Sequence, residues 1–480
     1  MDSLTTSLQY IHKYKNVARI IAISIACISA YTIRLHALHT YGNVIHEFDP
    51  WFNYRATVYL KDNGITKFFD WYDDQSWYPL GRPVGSTIYP GMQFTSVGIY
   101  YILDMLGLQM SLNDICCYVP AWFGVLATVF LGLTAYECTG DIDTGIISAL
   151  IMAIIPAHLM RSVGGGYDNE SIAMTAMCAT FYFWCRSLRT KESYWYGMLT
   201  ALAYFYMVAT WGGYIFVLNM IAIHTLLLII MGRCSPKLHR AYSLFYVWGT
   251  CAAIQIPIVG FAPLKSLEQL GALGVFGILQ LWWITKKIHA WRDPENKWSP
   301  KKIKQLNINI IGAVVLVTSI IGGILSKQGY FGPLSSRVRG LFVPHTHTGN
   351  PLVDSVSEHR PANADTYFNY LHAMYFWYPI GLGCLCIART DSKIFIILYG
   401  CIAYYFSSKM MRLVVLMGPI TSILAGVALC TVSKWSFSVF TNTTEKQTGK
   451  KWDTRTRNIN CMMRPIHHRS TVQSSSRKRS

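Results

Sequence analysis

Three short acidic motifs and two arginines carry the side chains best suited to chemistry in this chain. The motifs are Glu47-Phe48-Asp49, Asp168-Asn169-Glu170 and Ser355-Val356-Ser357-Glu358, and the arginines are Arg161 and Arg412. Carboxylates are hard oxygen donors of the kind that Mg2+ or Mn2+ prefers. A guanidinium presents a planar fork of N–H donors that matches a phosphate. Acids remote in sequence that converge on one patch can therefore grip a divalent cation beside an anionic substrate. Each motif also has a plainer explanation. Glu47 and Asp49 suit a solvated loop or the start of a helix at Pro50. Asp168 or Asn169 suits a helix N-cap. Glu358 suits an exposed loop, and Arg412 suits a long side chain reaching toward a membrane interface. The two readings part on whether the chain carries all the motifs to the same side.

The elements that must position them are apolar. Of 480 residues, 52% are hydrophobic and 14% are charged, where soluble domains carry roughly a quarter charged. Apolar runs long enough for a hydrocarbon core recur along the chain, and in lipid such runs must be helical to satisfy their own backbone. The class is an all-α polytopic membrane protein with about twelve helices. The spans are expected at 17–37, 120–138, 143–160, 172–189, 193–210, 212–231, 241–261, 269–286, 306–325, 369–388, 392–408 and 411–432. Thirteen cysteines lie mostly within these runs, where a thiol behaves as a small hydrophobe, so neither a disulfide scaffold nor a zinc site is expected.

Charge sets the topology. The net charge is +18, and residues 441–480 hold ten Lys/Arg against two Asp/Glu. Basic loops stay in the cytoplasm, which puts the N-terminus (1–16), the loop with Arg233, Lys237 and Arg240, the loop 286–304 and the tail 436–480 there. That alternation works only if 94–110, apolar but carrying Asp104, lies along the interface and does not cross. The loops on the far side are then 38–119, 161–171, 262–268, 326–368 and the turn near 409–411. Every acidic motif falls on one of them. Ionisable residues at loops and not at mid-span speak against a transporter or channel, as does the lack of an internal repeat. Nucleic acid is not an expected partner for a chain that belongs in a bilayer. The basic tail 436–480 reads as disordered, including its Ser/Arg-rich end, 470–480.

Five strings carry a family resemblance: "HEFDPWFNYRAT" (46–57), "RSVGGGYDNESIA" (161–173), "ATWGGYIF" (209–216), "SVSEHRP" (355–361) and "MMRLVVLMGP" (410–419). Together they resemble the catalytic subunit of eukaryotic oligosaccharyltransferase, a GT-C-type enzyme, over about residues 15 to 435. The resemblance implies a GT-C transmembrane domain over 17–435 and transfer of a preassembled oligosaccharide from dolichyl pyrophosphate to asparagine of Asn-x-Ser/Thr acceptors. It implies an endoplasmic reticulum membrane location with a lumenal active face, Mn2+ or Mg2+ as cofactor, and a lipid-linked donor, an acceptor polypeptide, membrane lipid and other oligosaccharyltransferase subunits as partners. Residue by residue, Asp49 would bind the metal and contact the acceptor amide. Asp168 and Glu170 would add metal contacts, Glu358 would help hold the acceptor, and Arg412 would contact the pyrophosphate, with Arg161 a second basic candidate for that contact.

The sequence also departs from the family pattern. No WWDYG, the motif that reads the acceptor Ser or Thr, occurs; Trp282-Trp283-Ile284 lies in an expected span. The resemblance stops near 436. The C-terminal soluble domain is accordingly expected to be absent and transfer to be impaired, and a non-catalytic paralogue or subunit that binds lipid-linked sugar is the alternative. The formal sequons at Asn169 and Asn442 are expected to stay unmodified, the first because it sits in the acidic motif and the second because it belongs to the cytoplasmic tail.

Overall fold

Apolar runs fold as helices throughout the computed structural model, which describes residues 2–293, 305, 309, 312, 320, 322–330, 358, 360–387 and 390–448. The helices are α1 (Asp2–Arg34), α2 (His36–Tyr41), α3 (Phe48–Phe69), α4 (Gly91–Met105), α5 (Leu112–Thr139), α6 (Ile142–Ile154), α7 (Pro156–Leu159), α8 (Asn169–Ser187), α9 (Tyr196–Thr210), α10 (Tyr214–Ile230), α11 (Pro236–Ala253), α12 (Ala262–Lys265), α13 (Leu267–Arg292), α14 (Ala364–Leu371), α15 (Met374–Cys386), α16 (Asp391–Lys409) and α17 (Met417–Thr448). A 3-10 turn, Met411–Leu416, precedes α17. The span expected at 306–325 and the loop expected at 326–368 lie largely outside the described residues.

Among the described residues, four segments are long and apolar enough to cross a membrane: Tyr14–Tyr41, Leu112–Thr139, Leu267–Arg292 and Met411–Val439. The other expected spans within the described residues are present as helices that are shorter or more polar. One is broken. The run 143–160 was expected to be continuous, but α6 stops where Ile155 turns extended (φ −66°, ψ 124°) and α7 restarts on Pro156. Proline disfavours the helical conformation in the residue before it and suits the first position of a new helix. This break lets the chain leave the bundle at Arg161.

The stretch 38–119 is more ordered than the word loop suggests. It holds α2 to α4 and a small antiparallel pair, β1 (Tyr72–Asp73) with β2 (Arg82–Pro83), in the register Tyr72↔Pro83 and Asp73↔Arg82. The ambiguous run 94–110 forms α4, whose first turns bury Met92, Ser96 and Val97 while Tyr101, Ile102 and Met105 stay exposed.

The core lies where α8, α9, α11 and α16 meet, around the fully buried side chains of Trp184, Tyr204, Tyr242, Phe395 and Tyr399. The tail expected from 436 needs correction: α17 runs on to Thr448. No glycine or proline occurs between Gly426 and Gly449, so nothing in the backbone stops the helix earlier.

At the end of the bundle away from the acidic loops, Asp143, Asp141 and Glu137 each have basic partners. Arg19 and Lys15 reach Asp143 (2.7 and 3.3 Å), Lys434 reaches Asp141 (2.7 Å), and Arg186 and Arg189 both reach Glu137 (3.1 and 3.2 Å). These pairs tie α1, α6 and α17 together on one side, and α5 to the end of α8 on the other.

Candidate active site at the junction of the acidic loops

Asp49 sits in the first turn of α3, exposed, immediately after a backbone that is not at rest. Glu47 adopts φ 67° and ψ 176°, a conformation that suits glycine and costs another residue of order 1–3 kcal/mol. Such strain persists only where the surroundings impose it. Here the imposing contact is a second loop. The N–H of His46 donates to the carbonyl of Gly165 (3.0 Å). Gly165 is itself left-handed (φ +84°), and a Cβ there would stand 2.5 Å from the Val44 carbonyl oxygen and 2.7 Å from His46 Nε2. Only glycine permits this approach. The strand of chain leading to Asp49 is thus laid against the loop leading to Asp168.

That loop is held on its other side too. Gly164 N–H donates to Arg34 O (2.8 Å) and Gly165 N–H donates to Cys117 O (3.0 Å). Asp168 then caps α8, its Oδ1 accepting from Asn169 N–H at 2.7 Å, so the ordinary capping role is real. Its electrostatics are not those of an ordinary cap. Burial, then the charges of Glu170 and of Asp49, push its carboxyl up to about 6 against the opposing pull of Asn169 N–H and Arg161. Asp49 and Asp168 are therefore close enough to feel each other, and no ion pair neutralises either among the described residues.

Glu170 behaves differently. It is 1% exposed and faces the arginines. Arg412 grips Glu170 Oε1 through Nη2 (2.7 Å) and Nε (3.2 Å), while Arg161 Nε lies 3.0 Å from Oε2. Arg161 Nη2 also donates to Glu358 Oε1 at 2.8 Å. The arrangement is a chain of four charges, Arg412–Glu170–Arg161–Glu358, drawn from α8, the loop before it, the 3-10 turn and the segment at 358. Burial lowers the Arg161 pKa, but Glu170 and Glu358 outweigh that and hold the guanidinium above its ordinary value. Arg161, Glu358 and Arg412 line a small open cleft whose other wall includes Met160, Val414 and Val415. Nη1 of each arginine has no partner among the described residues, which leaves donors for an anion.

The sequence expectation placed Asp49, Asp168 and Glu170 in one metal set. Among the described residues no three His, Cys, Asp or Glu side chains stand close enough to hold an ion by themselves. The donor chemistry still suits a hard cation. Asp49 and Asp168 form no ion pair among the described residues, and the buried Oε2 of Glu170 receives no directed hydrogen bond despite its 3.0 Å approach to Arg161. Mg2+-type ions are commonly held by one or two carboxylates with water and substrate phosphate completing the shell. Asp49, Asp168 and Glu170 Oε2 would be the protein donors.

Two residues that shape the site escaped the sequence reading. Arg34, fully buried near the end of α1, donates to Ser162 Oγ (2.8 Å), Ala30 O (2.8 Å), Ala153 O (3.0 Å) and His158 Nδ1 (2.8 Å). It satisfies the carbonyl freed where α6 breaks and anchors the chain just after Arg161. An arginine well inside the apolar run 17–37, far from its basic start, was the available signal. Tyr167, one residue before Asp168, is the other, and it gave no signal apart from its neighbours.

Comparison with known proteins places the chain in a family and a fold. A family model described as oligosaccharyl transferase STT3, N-terminal, matches residues 17–425. The chain is similar to the dolichyl-diphosphooligosaccharide–protein glycosyltransferase subunit STT3 of Dictyostelium discoideum, at 37% identity over 416 residues, 86% of this chain and 57% of that protein. It is similar to the subunit of the same name from Saccharomyces cerevisiae, at 39% identity over 411 residues, 84% of this chain and 55% of that protein. The chain spans about half the length of the curated relatives it matches. Among solved structures, the oligosaccharyltransferase of Archaeoglobus fulgidus in the apo form superimposes with a TM-score of 0.71 at 15% identity, covering 92% of this chain and 53% of that one. The same archaeal enzyme in complex with Zn and sulfate gives 0.62 at 16% identity, covering 87% and 50%. These likenesses show the expected GT-C-type helical fold. With the family model matched along most of its length, the chain belongs to the oligosaccharyl transferase STT3 family.

Proposed function

We propose that this chain carries the metal- and donor-holding portion of an oligosaccharyltransferase, which moves a preassembled oligosaccharide from dolichyl pyrophosphate to asparagine in Asn-x-Ser/Thr polypeptides. The single observation that carries the reading is the meeting of Arg161, Arg412, Glu170 and Glu358 around one cleft, beside the uncompensated acids Asp49 and Asp168. Membership of the family supports the reaction class. The location proposed is the endoplasmic reticulum membrane with the acidic loops facing the lumen, and other oligosaccharyltransferase subunits are the proposed protein partners.

The residues suit the chemistry asked of them. An asparagine amide nitrogen is a poor nucleophile because its lone pair is conjugated with the carbonyl. Asp49 and Glu358, accepting from its two N–H groups, would twist the amide and free that pair. The sugar's anomeric bond to pyrophosphate breaks as the bond to nitrogen forms. The amide proton passes to a carboxylate and dolichyl pyrophosphate departs. The guanidinium donors of Arg412 and Arg161 that have no partner among the described residues would bind the pyrophosphate and stabilise the charge it gains. A bound Mn2+ or Mg2+ supplies further positive charge to the leaving group. The apolar wall of the cleft suits the start of a lipid tail.

Binding of a polyprenyl pyrophosphate-linked N-acetylglucosamine to the chain in nanodiscs tests this directly. Arg412→Ala should weaken binding by about tenfold or more, as loss of a hydrogen bond to a charged group costs about 1.5–3 kcal/mol. Unchanged affinity in that variant contradicts the assignment. Asp49→Ala should abolish any transfer to an Asn-x-Thr peptide.

A further inference from the structure

We infer that Tyr167 is a positioning residue that sets the spacing of Asp49 and Asp168, through a buried polar knot beneath the two acids. The inference rests on the proposal that those carboxylates hold a divalent cation. Tyr167 is fully buried, and its hydroxyl is hydrogen-bonded to Ser96 (2.7 Å) on α4 and to Thr57 (3.0 Å) on α3. Its carbonyl accepts from Asn53 Nδ2 at 3.3 Å, and Thr57 Oγ1 donates to Asn53 O at 2.8 Å. Both ends of one residue therefore grip α3.

The places gripped matter. α3 buries Pro50, Asn53, Ala56, Thr57 and Leu60, the stripe expected of one helix face. Two members of that stripe, Asn53 and Thr57, are polar and stand one and two turns beyond Asp49. Tyr167 joins both, and Asp168 is its covalent neighbour. A shift of α3 along its axis, which would carry Asp49 away from Asp168, would break these bonds in a buried region. An unmade buried hydrogen bond costs about 1–3 kcal/mol. Apolar packing alone would not resist such a slide, because it is non-directional. Ser96, 0% exposed, fixes the same hydroxyl from a third side, so its position is set by two helices at once.

The test is a Mn2+ titration of the full chain in nanodiscs, with free Mn2+ read by electron paramagnetic resonance and thermal unfolding read alongside. Tyr167→Phe keeps the ring and removes the hydroxyl. It should weaken Mn2+ binding about tenfold, the lower end of what supporting groups around metal ligands contribute. Thr57→Val and Ser96→Ala, which remove one partner each and leave Tyr167 in place, should weaken it by less; they also serve if Tyr167→Phe does not fold. Native Mn2+ affinity in folded Tyr167→Phe overturns the inference, and a lowered unfolding temperature with native affinity overturns it equally, because the role would then be structural only. Asp168→Asn separates the two layers. If that variant keeps native affinity, the cation reading itself fails and this inference falls with it. If it loses binding while Tyr167→Phe does not, only the positioning role is wrong.

Discussion

Asp141, at the end of the bundle away from the acidic loops, and Asp168, at the site, each begin a helix as its N-cap. Locally they are alike, and their surroundings drive them in opposite directions. Burial pushes the Asp141 carboxyl up, but hydrogen bonds from Lys434, Thr144 and Cys430 outweigh it and hold the group down at about 2. At Asp168 burial is reinforced by Glu170 and Asp49, and the group is pushed up to about 6. The difference teaches what kind of acid belongs to each end. At the far end, carboxylates are matched to bases and fasten helices. At the site, Arg161 and Arg412 pair with Glu170 and Glu358, and Asp49 and Asp168 form no ion pair among the described residues.

The largest expected effect breaks the matched end. Replacing both Arg186 and Arg189 by alanine strands the Glu137 carboxylate, whose side chain is 2% exposed. Leaving a buried charge unpaired costs about 3–5 kcal/mol, read as a large fall in thermal unfolding temperature in detergent. The next effect sharpens the contrast by its sign. Asparagine caps a helix as well as aspartate does, so Asp→Asn isolates charge. Asp141 is depressed in the folded chain, so its contribution is present above about pH 4 and lost as pH falls toward 2. Asp141→Asn should therefore lower stability by about 2 kcal/mol at neutral pH. Asp168 is raised, so the folded chain loses stability as pH climbs from about 4 through 6. With divalent ions chelated, Asp168→Asn should raise stability by about 3 kcal/mol at pH 7 and by less than about 1 kcal/mol at pH 4. Equal signs for the two variants at pH 7 would remove the distinction between the ends. The smallest effect concerns Arg19, which pairs with the partly exposed Asp143. Arg19→Ala should cost roughly 0–1 kcal/mol.

Much of this was legible in the sequence, for identifiable reasons. Hydropathy marks helices because lipid allows little else, and the acidic motifs stand out against an apolar chain. The break at Ile155–Pro156 was also written in the sequence, but continuous hydropathy over 143–160 hid it. The ending of α17 was misread because charge was taken as the end of order, while no helix breaker occurs before Gly449. The partnership of Glu170 was the subtler miss. A D-x-E pair reads as two like donors, yet residues two apart near a helix start face different ways. Glu170 meets Arg412, which lies 242 residues away, and no periodicity encodes a contact at that separation. The tie of Tyr167 to Thr57, 110 residues apart, is invisible for the same reason.

Mn2+ titration of the native chain beside Asp49→Asn, Asp168→Asn and Asp141→Asn tests the central claim most directly. The account predicts that binding is lost, or weakened at least tenfold, in the Asp49 and Asp168 variants and unchanged in Asp141→Asn, since neutralising a carboxylate that balances nothing else removes a metal donor. Native Mn2+ affinity in Asp168→Asn, or loss of binding in Asp141→Asn, would contradict it.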